Sequence, residues 1–199
     1  MKFYHNPRSR AVTAHWMLEE VGAPYELVPV ELKPEGPRDP VIVAVNPMGK
    51  VPALVLDDGT LVTETPAILA HLADAFPQAG LAPQPGTPER ASYYRWLFFV
   101  GSAFEPALVE RMMRKDAAPL GKMAAGWGSY DDVIDTIEGA LEGREVLAGD
   151  RFTAADLYMV SSLSWGGLFG APRIKDSPAI QAYLQRHTQR PAFGRAMGG

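Results

Sequence analysis

Along the first 77 residues the spacing of apolar positions switches repeatedly between a period of two and a period near 3.6. Lys2-Phe3-Tyr4-His5 alternates as a short strand does. Asn6-Pro7-Arg8-Ser9 is turn chemistry, with Ser9 placed to cap a helix. Ala14, Met17, Leu18 and Val21 then recur at helical spacing, and Gly22 and Pro24 stop the helix. Glu26-Leu27-Val28-Pro29-Val30 reads as a second strand, at a sheet edge because Pro29 has no N–H for a ladder. A Pro-rich connection from Lys33 to Pro40 leads into Val41–Val45, an apolar run too short to assign. Ala53-Leu54-Val55-Leu56 and Thr60-Leu61-Val62-Thr63 flank Asp57-Asp58-Gly59, a hairpin signal. Thr65 follows as an expected N-cap, with Pro66 at the first helical position and Leu69, Leu72, Ala73 and Phe76 as the buried stripe.

The order strand-helix-strand-(helix)-strand-strand-helix is that of a thioredoxin-like α/β layer. Residues 77–88 then lose periodicity among four prolines and two glycines, which marks residues 78–88 as a linker. Beyond it the pattern is helical, with candidates over 93–113, 128–147, 153–168 and 178–187. The expectation is an α/β domain over 1–77 and an all-helical bundle over 89–199. Thr153-Ala154-Ala155-Asp156 is a capping-box variant, and fixing a helix start is its expected role.

Composition narrows the chemistry. With 199 residues, 47% of them hydrophobic, the chain can bury a substantial core, and no run reaches the roughly 20 apolar residues of a membrane span. The start, Lys2-Phe3-Tyr4, has no signal-peptide pattern, so a cytoplasmic location is expected. A net charge of −4 argues against a nucleic-acid partner. Residues 1–77 carry six basic against ten acidic side chains, so an anionic ligand there needs local cations, for which Arg10, Lys33 and Lys50 are available. Cysteine is absent, which excludes an enzyme thiol nucleophile and cysteine-ligated zinc. The four histidines show no metal-binding spacing, so no metal is expected. Any thiol chemistry must use a sulfur brought by a ligand.

Two stretches carry the functional signal. Asn46-Pro47-Met48-Gly49-Lys50-Val51-Pro52-Ala53-Leu54 delivers a Val-Pro bond to the start of a strand. Val62-Thr63-Glu64-Thr65-Pro66-Ala67-Ile68 ends a strand in a carboxylate and a hydroxyl and opens a helix. With Tyr4–Glu20 and with Thr153–Asp156 following Gly149-Asp150-Arg151-Phe152, in this order and spacing, the chain resembles a bacterial cytosolic glutathione S-transferase over nearly its whole length. The resemblance implies a thioredoxin-like N-terminal domain, a helical C-terminal domain and a homodimer. It implies glutathione as co-substrate and a small electrophile as its partner, hence a role in detoxification. It also implies a cis Val51–Pro52 bond that turns the main chain of Val51 outward to pair with the glutathione cysteine as an added strand.

Glu64 suits the γ-glutamyl ammonium of glutathione, and Thr65, at a helix N-terminus, suits its carboxylate. Lys33 and Lys50 are candidates for the glycyl carboxylate. For the group that stabilises the thiolate, Ser9 comes first, Tyr4 second and Asn6 third, with Arg10 adding positive potential; each also has a purely structural reading, as cap, core residue or turn. The electrophile side draws on Tyr93, Trp96, Phe99, Phe104, Arg111, Met112 and Trp165, mostly aromatic and methionine positions that equally suit a core. Transfer of glutathione to a hydrophobic electrophile is the leading reading. A glutathione-dependent peroxidase or disulfide reductase, or a non-catalytic binding module, is the alternative.

Overall fold

The computed structural model describes residues 1–114, 118 and 120–198. They form two compact units, one made of Met1–Gly80 with Arg190–Gly199, the other of Leu81–Gln189.

In the first unit, β1 (Lys2–His5) pairs in parallel with β2 (Glu26–Pro29) and antiparallel with β3 (Ala53–Val55), which pairs antiparallel with β4 (Leu61–Thr63). The sheet order β2-β1-β3-β4 puts Pro29 on an edge strand, as its missing donor requires. The helices are α1 (Ala11–Val21), the short α2 (Pro40–Val43) and α3 (Thr65–Ala75). Gly22, at φ 65°, closes α1 by donating its N–H to Leu18 O. Alternation along β1 sends Tyr4 to a cluster with Val30, Ile42 and Ala53. Phe3 and His5 both have rings within 6.0 Å of the His15 ring on α1.

Two expected positions move by a residue. The N-cap of α3 is Glu64, with Thr65 its first helical residue and Pro66 its second. Arg10, not Ser9, stands at the N-cap of α1. In both cases the turn before the helix fixes the start, because it holds the preceding residue's dihedrals. The run Val41–Val45 resolves as α2, capped by Asp39, whose carboxylate accepts from Val41 N–H at 2.9 Å.

The helix α9 (Pro191–Ala196) packs on α1 rather than with the helices that precede it in sequence. Arg190 forks onto Glu20 with N···O distances of 2.6 and 2.8 Å, and Trp16 Nε1–H donates to the same carboxylate. Arg195 donates to Glu19 at 2.7 Å, and Phe193 packs edge-on against Trp16. Two carboxylates in the last turns of α1 thus hold the α9 segment.

The second unit is helical. The expected helix over 93–113 is two helices, α4 (Pro88–Phe99) and α5 (Glu105–Met113), joined by a π-helical turn Val100–Phe104. Pro106 lacks an N–H and its ring opposes the carbonyl four residues back, so the chain bridges that point with a wide turn in which Glu105 N–H reaches Val100 O. The linker stretch holds a 3₁₀ turn at Pro77–Ala79, and α4 begins at Pro88 behind a Thr87 cap. The candidate over 128–147 is shorter in the structure: α6 (Tyr130–Leu141) starts at a Ser129–Asp132 capping box and ends before Gly143, at φ 66°. α7 (Ala154–Leu168) and α8 (Pro178–His187) follow the expected ranges closely. α7 is nearly all buried, and Asp156 in its first turn accepts from Thr153 N–H, Thr153 Oγ1, Leu147 N–H and Tyr183 Oη at 2.7–2.9 Å. Burial holds the Asp156 carboxyl above its ordinary range, an effect these donors offset only in part. No helix among the described residues is long and apolar enough to cross a membrane.

Candidate functional site

The Val51–Pro52 peptide bond is cis. Val51 sits between the turn Asn46–Lys50 and β3, and its N–H and C=O enter no backbone hydrogen bond of the described turns and loops. Two residues on, Ala53 pairs with Thr63, so the end of β4 and the start of α3 lie beside this free stretch of main chain.

Glu64 joins β4 to α3 at φ 66°, ψ 123°, one of two non-glycine residues with positive φ among those described. An L-residue there costs on the order of 1–3 kcal/mol, a cost that persists where the surroundings over-determine it and that clusters at binding sites. Its side chain is exposed and caps nothing. Thr65 is buried at 9% exposure, in the first turn of an 11-residue helix. Helix N-terminus, hydroxyl and exposed carboxylate together suit a ligand end that carries both an anion and a cation.

The three candidates for the thiolate-stabilising donor differ in what already holds them. Ser9 is half-buried; its hydroxyl donates to Asn6 O at 2.7 Å and accepts from Ala11 N–H at 3.1 Å. Its proton must swing away from Asn6 to serve another acceptor, which a hydroxyl rotor permits. Asn6 is buried, with Nδ2–H donating to Val30 O at 2.7 Å and Oδ1 accepting from Arg8 N–H, so its amide is committed to the turn. Tyr4 is 8% exposed and belongs to the core cluster. Arg10 is half-buried beside Ser9.

Lys33 lies 3.2 Å from Glu31, next to Asp39, whose carboxyl is held low by the backbone N–H groups of Glu31 and Val41. An exposed pair of this kind is worth at most about 1 kcal/mol, so it does not lock Lys33 away from another anion. Lys50 is exposed, and its carbonyl accepts from Asn46 Nδ2.

The electrophile-side candidates divide by burial. Tyr93 and Phe104 are wholly buried and Trp96 nearly so. Phe104 closes the wide turn that follows α4. Phe99, Met112 and Trp165 are half-buried and Arg111 is exposed. A cleft of about 290 Å³ bordered by Gln84, Thr87, Glu89, Gly149 and Arg151 contains none of these candidates. Among the described residues no three His, Asp or Glu side chains form a metal-holding group.

Two contributors escape a reading of the sequence by motif. Asn46 is buried and organises the turn before Val51; the Asn-Pro dipeptide at the head of a glycine turn is its signal. The strain at Glu64 has none, since non-glycine residues rarely adopt positive φ.

Comparison with known proteins adds lineage to this geometry. The family described as "Glutathione S-transferase, N-terminal domain" matches residues 9–75, and "Glutathione S-transferase, C-terminal domain" matches 128–191. Glutathione S-transferase GstA of Escherichia coli O157:H7 is 31% identical over 198 residues, covering 99% of this chain and 97% of its own. Glutathione S-transferase GST-4.5 of Xanthomonas campestris is 31% identical over 193 residues, covering 94% and 92%. The solved structure of a sphingomonad glutathione S-transferase complexed with glutathione is 37% identical and superposes with a TM-score of 0.81, over 99% of this chain and 97% of that one.

Proposed function

Because the chain belongs to the glutathione S-transferase family, we propose that it conjugates the glutathione thiolate to hydrophobic electrophiles. The observation that carries this reading is the strained Glu64 at the mouth of α3, beside the unpaired main chain of Val51. Val51 pairs with the cysteine of glutathione as an added strand, Glu64 takes the γ-glutamyl ammonium, and Thr65 with the α3 N-terminus takes the γ-glutamyl carboxylate. Lys33 and Lys50 are the cations for the glycyl carboxylate.

The free thiol is mostly protonated at neutral pH, and each unit of pKa lowering needs about 1.4 kcal/mol of preference for the thiolate. One charge-assisted hydrogen bond, about 1.5–3 kcal/mol, supplies one to two units. Ser9, near the α1 N-terminus with Arg10 beside it, is the donor in this reading. Tyr4 is the second choice. Asn6 is third, and its amide is already engaged. The electrophile side draws on Tyr93, Trp96, Phe104, Arg111, Met112 and Trp165, of which Arg111 is exposed and Met112 and Trp165 half-buried. The working form is a cytoplasmic homodimer acting in detoxification.

The test is calorimetric titration with glutathione on wild type and Glu64→Ala, followed by assays with an activated aryl halide and an organic hydroperoxide. The expected result is at least roughly tenfold weaker binding in the variant, for a lost charge-assisted contact, and turnover of the halide by wild type. Unchanged affinity in a folded variant overturns the Glu64 role. Turnover of the hydroperoxide alone turns the reading to a peroxidase, and binding without turnover of either to a binding module.

A further inference from the structure

The turn that delivers Val51 is held from two sides. From within, Asn46 Nδ2–H donates to Lys50 O at 2.9 Å, Asn46 Oδ1 accepts from Met48 N–H at 3.1 Å, and Asn46 O accepts from Gly49 N–H at 2.7 Å. Asn46 N–H in turn donates to Ile42 O at 2.8 Å, tying the turn to the end of α2. From outside, the side chain of Arg38 crosses it. A Cβ at Gly49 would run into Arg38 Cδ and stand 3.2 Å from its Cβ and Cγ. Gly49 is buried although Met48 and Lys50 on either side are exposed, and the stem lying across it accounts for that. Its φ of 59° and the close approach both require glycine. The Arg38 guanidinium reaches Pro47 O at 3.4 Å, too long to be a strong bond, and no carboxylate among the described residues pairs with it. Packing of the stem, not the charge, is therefore the substantial contact.

We propose that Arg38 is a positioning residue for glutathione binding: its aliphatic stem, laid over Gly49, holds the Asn46–Lys50 turn in the one arrangement that presents the main chain of Val51. The inference rests on Val51 as the strand-like receptor. An exposed loop that must be ordered on binding weakens the ligand, and a clamp that orders it beforehand removes that cost. Arg38 comes from the segment between β2 and α2, so one side chain fixes the turn without touching the ligand.

The experiment titrates glutathione, and separately glutathione esterified at its glycyl carboxylate, into wild type, Arg38→Met, Arg38→Ala, Gly49→Ala and the double variant Arg38→Ala/Gly49→Ala. Circular dichroism checks that each is folded. Arg38→Ala is expected to bind both ligands roughly tenfold more weakly, as for one loop left to order on binding, with kcat at saturating glutathione unchanged. Arg38→Met keeps the stem and should stay within about threefold of wild type, the loss of an exposed polar contact. Gly49→Ala displaces the stem and should resemble Arg38→Ala, and the double variant should be no weaker than the weaker single, since both break one contact. Additive losses overturn the proposal. So does a loss equal in Arg38→Met and confined to the unesterified ligand, which would make Arg38 a direct partner of the glycyl carboxylate. Wild type that binds glutathione beside an Arg38→Ala variant that binds equally well removes this inference alone. Wild type that binds none removes the functional reading and this inference with it.

Discussion

The buried histidine pair makes stability depend on pH, and the His5→Leu comparison separates its share from that of Asp156, whose carboxyl burial holds above its ordinary range. His5 on β1 is 6% exposed, its ring 5.0 Å from that of His15, and its Nε2 has no hydrogen-bond partner. Burial, and secondarily the charge of His15, push its pKa down from 6.5 to about 4. His15 shifts the same way through burial, partly offset by Glu19 and by the backbone of Ala196. It also donates from Nε2 to Tyr25 Oη at 2.7 Å, because the Tyr25 proton goes to Glu19 Oε1. A histidine with a depressed folded pKa binds fewer protons folded than unfolded, so its contribution is present above pH 6.5 and is lost as pH falls towards 4. The full difference for His5 is about 3.4 kcal/mol, of which roughly 2 kcal/mol falls between about pH 7 and pH 5. Glu19, Asp39, Asp58 and Asp132, all held low, lose their contributions only at lower pH. Urea unfolding at about pH 7, 6 and 5 should show wild type losing roughly 2 kcal/mol or more, and His5→Leu losing about 2 kcal/mol less than wild type. An equal slope in the two proteins, or an NMR titration placing His5 near its ordinary value of 6.5, would refute the reasoning.

Asp156→Ala orphans four buried donors, Leu147 N–H, Thr153 N–H, the Thr153 hydroxyl and the Tyr183 hydroxyl, and should cost at least about 3 kcal/mol in urea unfolding; a loss under about 1 kcal/mol would mean that water replaces the carboxylate. Glu20→Gln leaves the Arg190 guanidinium without its forked ionic partner, and limited proteolysis should then clip the α9 segment faster than in wild type. An unchanged cleavage rate would show that the Arg195–Glu19 pair and Phe193 packing hold the segment without it. Ser9→Ala should lower turnover about 10²-fold with little change in glutathione affinity, and the thiolate absorbance of the binary complex should titrate at higher pH. A titration that moves in Tyr4→Phe instead assigns the role to the tyrosine.

Local chemistry is the legible part of this chain. Gly22, the Asp57-Asp58-Gly59 hairpin and the Thr153 box act over a few residues, so the sequence displays them whole. The Val51–Pro52 and Glu64–Thr65 stretches are legible for the same reason. The helix starts near Ser9 and Thr65 each stand one residue off the expected cap, because a capping residue in sequence gives no sign that the preceding turn has claimed its hydroxyl or its dihedrals. The wide turn before Pro106 is hidden inside a continuous apolar period, and with it the burial of Phe104. Arg38 over Gly49 and α9 on α1 join residues 11 and about 170 positions apart, and no periodicity encodes such pairings.

The return of α9 to the first unit has a consequence for synthesis. The α1 surface bearing Glu19 and Glu20 meets its partners only after the whole of Leu81–Gln189 has left the ribosome. At typical elongation rates that interval is roughly 5–20 s. Throughout it the nascent N-terminal layer carries two carboxylates and the Trp16 edge without Arg190, Arg195 or Phe193 against them. A chain stalled or cut short just before Arg190 would therefore be damaged in the domain it translated first.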